Sequence, residues 1–310
     1  MNLLRCLVAV CVWLLVSPAP AGAQQDASME LVLLGTGYPY PDPLRAGPSC
    51  AVLAGGRAYV VDAGRGVVLR LEAAGIAWSA VRAAFVTHLH SDHIDGLPDL
   101  FHTCWQFGAG RPFELYGPEG IDGVATSILG FYAADIRIRR DLTEMLPPEG
   151  ARIHAHRVAE GVVHSEPGGV RVTAFRVDHR PVEPAFGYRF ESGPHSIVLS
   201  GDTRPDPNLV RFARGADILV HDAYVRAGAP TGAGPRRWAI YDYHSSAREA
   251  GETAAQAGVR MLVLSHLIPR DAPERMFREE AARAYGGRIV VGKDLMRFRV
   301  PLDADAPPGR

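Results

Sequence analysis

The stretch Thr87-His88-Leu89-His90-Ser91-Asp92-His93-Ile94-Asp95-Gly96 decides how this chain is to be read. Four side chains able to hold a metal, His88, His90, Asp92 and His93, crowd into it. Alternate residues of an extended segment point to one side, so His88 and His90 can grip one ion. A turn after them would swing Asp92 and His93 toward a second position. Imidazole and carboxylate suit zinc and its neighbours among the divalent ions. The chain has 12 His in 310 residues, so three in so short a window is more than a polar loop explains. Ala83-Ala84-Phe85-Val86 is an apolar run fit for a buried strand, and a helical pattern starts at Leu97. The ligands therefore fall where a strand gives way to a helix, as in many α/β sites.

Further segments follow in order. Val177-Asp178-His179 precedes Pro184-Ala185-Phe186-Gly187-Tyr188-Arg189, and Ser200-Gly201-Asp202-Thr203 follows the apolar Ile197-Val198-Leu199. Tyr243-His244-Ser245-Ser246 opens a helical pattern, and Leu264-Ser265-His266 closes the apolar run from Met261. A lone histidine after a strand is more often a hydrogen-bonded structural residue. Several such segments in sequence, each at a strand's end, reverse that reading.

The H-x-H-x-D-H pattern followed by Asp-Gly resembles the signature of metallo-β-lactamase-fold hydrolases. The later segments resemble those of the ribonuclease Z and arylsulfatase-like branch of that superfamily. Smaller agreements are Leu34-Gly35-Thr36-Gly37, Val61-Asp62-Ala63-Gly64 and Tyr116-Gly117-Pro118-Glu119-Gly120, so the likeness runs from about Met29 to Val300. It implies an α/β fold, the αββα sandwich of the metallo-β-lactamase type. It also implies that His88, His90 and His179 hold one ion, that Asp92, His93 and His266 hold another, and that Asp202 bridges them. The implied cofactor is two divalent cations, with Zn2+ favoured and Mn2+ or Fe2+ alternatives. By the same resemblance Asp92 and His244 are the catalytic residues. Asp92 would orient or deprotonate a water, and His244, behind the metals, would stabilise the transition state or protonate the leaving group. Ser246 stands where the family usually has Thr, and Ser245 is expected to cap the helix that follows.

One departure bears on the substrate. Members of the branch that process transfer RNA carry a long basic arm between the Gly-Tyr-Arg and Ser-Gly-Asp-Thr segments. Here that interval is Phe190 to Leu199, enough for a hairpin turn around Ser192-Gly193-Pro194. With 33 basic against 34 acidic residues the chain also lacks an overall cationic footprint. Arg137, Arg139 and Arg140 make only a short run, read as a solvated face. These points predict a small-molecule ester substrate, with transfer RNA set aside and a homo-oligomer left open. The expected function is an exported phosphodiesterase acting on small phosphate esters or cyclic nucleotides. An arylsulfatase-like sulfate-ester hydrolase, a lactonase and a non-catalytic metal-binding protein are the alternatives.

Export is read from the N-terminus. Arg5 precedes the apolar Cys6 to Val16, and the small residues Ser17 to Ala23 end in Ala-Gly-Ala. This pattern is that of a secretory signal over 1–23, cut after Ala23. The apolar core is short for a membrane span. The expected domains are therefore the signal and one hydrolase domain over 24–310, periplasmic or secreted, with no stable membrane anchor. Cys50 and Cys104 would remain; their pairing is open, and Cys104 is read as a buried thiol. Helices are expected over Leu97 to Phe107, Ser245 to Ala257 and Ala272 to Tyr285. A hairpin is expected over Val52 to Val61, and a strand over Arg171 to Arg176. The Gly- and Pro-rich Ala227 to Pro235 reads as a flap.

Overall fold

In the computed structural model, which describes residues 28–108, 110–166, 170–226 and 235–301, the strands form two seven-stranded sheets. The first half of the chain supplies β1 (Met29–Gly35), β2 (Ser49–Ala54), β3 (Arg57–Val61), β4 (Val81–Phe85), β5 (Phe113–Gly117) and β6 (Ile153–Arg157). The second supplies β7 (Gly161–Ser165), β8 (Arg171–Val177), β9 (Ala185–Ser192), β10 (His195–Leu199), β11 (Ile218–Tyr224), β12 (Met261–Ile268), β13 (Arg288–Val291) and β14 (Arg297–Val300). One sheet runs β14-β1-β2-β3-β4-β5-β6 and the other β13-β12-β11-β10-β9-β8-β7. Each has an antiparallel part and a parallel part, the latter β3 to β6 in one sheet and β10 to β13 in the other.

The helices cover the outer faces. They are α1 (Val67–Ala73), α2 (Ser91–Ile94), α3 (Leu97–Phe107), α4 (Ile121–Phe131), α5 (Ala133–Asp141), α6 (Pro207–Ala213), α7 (Ala247–Ala257) and α8 (Glu274–Ala282). Strand alternation sends one set of side chains between the sheets, where Tyr59, Phe85, Tyr188, Phe190 and Phe298 pack together. The opposite set of the first sheet meets α1, α3 and α4 through Leu71, Leu100, Phe101 and Ile128. That of the second sheet meets α6, α7 and α8 through Leu209, Ala250, Ala254 and Phe277. Four layers result, the αββα sandwich.

Most expected elements sit where the sequence placed them. The hairpin is β2–β3, turning at Gly55 and Gly56, both with positive φ. The helix at Leu97 has the expected bounds. Two helices start later than expected. Pro273 keeps Ala272 out of helical conformation, so α8 begins at Glu274. Ser246, not Ser245, caps α7, in a reciprocal box with Glu249. The Arg137–Arg140 run lies on α5, where Arg139 pairs with Asp135 and Glu144, and Arg140 with Asp141. Cys50 and Cys104 are both free thiols. Among the described residues no helix is long and apolar enough to cross a membrane. The signal over 1–23 and the flap, up to residue 234, lie outside the described residues.

Two ties across the sandwich aim the ligand stretch. The backbone N–H of Phe186 donates to the Thr87 carbonyl at 3.0 Å, and the Tyr188 hydroxyl donates to the Val86 carbonyl at 2.8 Å. The Phe186-Gly187-Tyr188 segment thus holds the end of β4 from the facing sheet.

Candidate metal centre

Beyond β4 the chain bends at Thr87 and is extended at His90, whose φ of −64° and ψ of 145° precede α2. His88 and His90 therefore point to one side, and the turn into α2 redirects Asp92 and His93. His88 Nε2 lies 3.0 Å from His90 Nδ1, and His179 Nε2, from the end of β8, lies 3.2 Å from the same atom. Asp202, beyond β10, sets Oδ2 at the middle of the cluster. That oxygen is 3.1 Å from His93 Nε2, 3.3 Å from His266 Nε2, 3.7 Å from His88 Nε2 and 4.0 Å from both His179 Nε2 and His244 Nε2. Asp92 Oδ2 stands 3.3 Å from His266 Nε2 and 3.6 Å from His93 Nε2. All of these side chains are buried except His90, which is half-buried.

The outer ring nitrogens are committed elsewhere, and this decides what the inner ones are. His179 Nδ1 donates to the Tyr243 carbonyl at 2.9 Å. His93 Nδ1 donates to Asp62 at 2.8 Å, and His244 Nδ1 to Asp222 at 2.9 Å. His88 Nδ1 meets the Thr87 hydroxyl at 3.0 Å, and that hydroxyl gives its own proton to Asp62 at 2.9 Å. With the outer nitrogens donating, His88 and His179 turn bare lone pairs inward, and His93 does so once its inner proton is displaced. Bare lone pairs crowded at about hydrogen-bond distance around a carboxylate repel one another unless a cation sits among them. The residues fit a metal. Two groups satisfy the spacing for an ion: His88, His90, His179 with Asp202, and Asp92, His93 with His266. Asp202, His244 and His266 form a third.

Burial, above all, pushes His88 and His90 below the ordinary imidazole range, and brings His179 down to about 4. They are neutral, as ligands must be. Burial also opposes charge on His93 and His266, but the carboxylates of Asp202 and Asp92 outweigh it and hold both above their ordinary range. Burial would raise Asp202; His266, His93 and His244 overcome it and hold the carboxyl well below the usual range. In the metal-free centre the protons on His93 and His266 thus balance the carboxylates, and a bound cation would displace them.

All seven expected ligands and His244 come together. Four supporting residues were missed as such. Asp62 accepts from the Thr87 N–H, the Thr87 hydroxyl and His93. Asp222 accepts from His244 and His221. Thr87 and the Tyr243 carbonyl complete the set. His221-Asp222 inside the otherwise apolar β11 was the available signal, because a buried carboxylate in an apolar strand needs a partner. Asp62 and His266 have φ of 56° and 47°, a left-handed backbone that side chains adopt at a cost of about 1–3 kcal/mol.

Comparison with known proteins follows from this geometry. Residues 57–267 match the family described as the β-lactamase superfamily domain. The Ribonuclease Z of Mycobacterium sp. (strain KMS) is 44% identical over 280 residues, covering 88% of this chain and 96% of that protein. This chain belongs to the ribonuclease Z family. The fold agrees: the short form of human tRNase Z superposes with a TM-score of 0.65 at 21% identity, covering 87% of this chain and 98% of that one. A metallo-β-lactamase-fold protein of Bacillus subtilis gives 0.67 at 21%, covering 88% and 99%.

The ribonuclease Z likeness corrects two expectations. The small-ester phosphodiesterase, with its sulfatase, lactonase and binding-protein alternatives, gives way to a hydrolase whose relatives are named for RNA. Setting transfer RNA aside was wrong for the same reason. Both errors had a physical source. The missing arm was read as missing RNA affinity, yet an alignment of 280 residues covering 88% of this chain leaves the mycobacterial ribonuclease Z room for only a few inserted residues. The balance of 33 basic against 34 acidic residues describes the whole chain and says nothing of the field at one mouth.

Proposed function

We propose that this protein is a metal-dependent endoribonuclease that cuts a phosphodiester bond in transfer-RNA precursors. The observation that carries the reading is the 44% identity to a ribonuclease Z over nearly the whole of both chains. The convergence of five histidines on Asp202, with Asp92 beside two of them, supports it. His88, His90 and His179 would hold one divalent cation, Asp92, His93 and His266 a second, and Asp202 would be shared. Such a pair, with zinc favoured, polarises the scissile phosphate and supplies a nucleophile at neutral pH.

The chain's own groups move the protons. Burial works against charge on Asp92, but His93 and His266 keep its carboxyl below the ordinary range, so it is ionised and can accept a proton from the attacking water. Asp222 is held ionised by His221 and His244 against the effect of burial. It accepts from His244 Nδ1 and leaves Nε2 facing the cluster, where a second proton, carried on Nε2, would pass to the departing oxygen. The buried walls of the site exclude bulk water from these transfers.

Purified protein and a transfer-RNA precursor with a 3′ trailer test the reading. A single cut is expected, abolished by chelator and restored by Zn2+ or Mn2+, with about two ions per chain by elemental analysis. A fully loaded protein that leaves the precursor intact would refute it. The export signal over 1–23 is a separate proposal, resting on its residue pattern alone.

A further inference from the structure

A tyrosine stands beside each of the two ligand groups. The Tyr38 ring lies 6.5 Å from the His266 ring at 60°. The Tyr243 ring lies 5.2 Å from His179 at 78° and 6.3 Å from His90 at 53°. Both tyrosines are half-buried beside the centre. Outward from Tyr38 the aromatic surface continues: Tyr40, 41% exposed, lies 6.5 Å away and within 27° of parallel. The Arg270 guanidinium sits 4.4 Å over the Tyr40 ring, and its Nη1 donates to the Pro41 carbonyl at 3.4 Å, which fixes the charge there. Rings and a held guanidinium are what an unpaired nucleotide strand needs, one for the base and the other for the phosphate. A duplex offers no base face to such rings, and a simple ester has none.

We propose that Tyr38 and Tyr243 each take one base of the RNA, so that the nucleotides on the two sides of the scissile phosphate are parted from each other. Tyr40 and Arg270 carry the strand onward from Tyr38. This deepens the endoribonuclease reading and rests on it. The cut then falls within an unpaired segment, and the bound bases set the position of the phosphate over Asp202. Hydrolysis itself needs no part of the tyrosines: they act by positioning.

The test uses RNA of one sequence, intact or with an abasic site at either nucleotide next to the cut. On the wild-type protein each abasic site should lower kcat/KM about tenfold or more, the range of base–aromatic stacking. Tyr38→Ala and Tyr243→Ala should impose a similar loss on intact RNA, chiefly in KM. Each should add little on the RNA lacking its own base, while Tyr38→Phe and Tyr243→Phe should recover most of the loss. Wild-type cleavage of abasic and intact RNA at equal rates would overturn the inference and leave the endoribonuclease reading standing, as would losses from variant and abasic site that simply multiply. A protein that hydrolyses methyl p-nitrophenyl phosphate but cuts no RNA would overturn both. The abasic comparison needs no variant, so a tyrosine change that fails to fold leaves the question answered.

Discussion

Asp62→Asn isolates a carboxylate that touches no candidate ion. Asp62 sits just beyond β3 with φ of 56°, a conformation asparagine accepts as readily as aspartate, so the backbone is not disturbed. Its Oδ1 takes the Thr87 N–H at 2.8 Å, and its Oδ2 takes the Thr87 hydroxyl at 2.9 Å and His93 Nδ1 at 2.8 Å. An amide supplies one oxygen for these two places. With its NH2 toward Thr87 N, two donors face each other in a buried site. With its NH2 toward His93, the ring must move its proton to Nε2, which then turns a hydrogen toward the centre. Either arrangement leaves one buried group unsatisfied, a cost of about 1–3 kcal/mol in stability. The second also removes a ligand lone pair, which should weaken metal binding about 10–100-fold. Urea denaturation of the metal-free protein measures the first effect, and competition against a chromogenic chelator the second. A variant within about twofold of wild type in affinity and within about 0.5 kcal/mol in stability would refute the argument that Asp62 sets the His93 tautomer.

Other outcomes follow from the same structure. His244→Ala should keep near-normal metal content and lose about 10²-fold or more in rate, with a smaller loss on substrates with good leaving groups; loss of metal, or unchanged turnover of a poor leaving group, would contradict its role in proton transfer. Asp202→Ala should strip the centre by elemental analysis, since its Oδ2 lies within 4.0 Å of histidines from both ligand groups. Burial pushes the Cys104 thiol up to about 12 and Cys50 higher still. Thiolate is present only as pH approaches those values, so iodoacetamide at pH 8 should label neither in the folded protein and both after unfolding. If the leader is processed, the exported protein should begin at Gln24 by intact mass; a cytoplasmic product of full length would end that proposal.

The site was legible because its ligands are chemically rare and lie at strand ends, where pattern alone places them. The H-x-H-x-D-H stretch needs only an extended segment and a turn, and both are local. What could not be read is non-local. Nothing near Asp62 in sequence shows that it reaches His93, 31 residues away, and Asp222 meets His244 only because β11 ends beside the start of α7. The capping residue was misplaced by one position because Ser245 and Ser246 both have hydroxyls. Only the fold shows that Ser245 Oγ is spent on the Thr203 carbonyl at 2.8 Å. The substrate was misread for a different reason: a charge total averages over the whole surface and does not report the groups around one site.

The ligands of each group come from both sheets. His88, His90, Asp92 and His93 follow β4, whereas His179 and Asp202 follow β8 and β10 of the facing sheet and His266 lies in its β12. Neither half of the chain owns a site, so neither can capture a cation firmly before the other has docked in register. Metal uptake would therefore act as a check on assembly, because a nascent chain or a misaligned sandwich lacks part of each ligand group. A hydrolase built this way would stay inert until its two sheets have closed on each other.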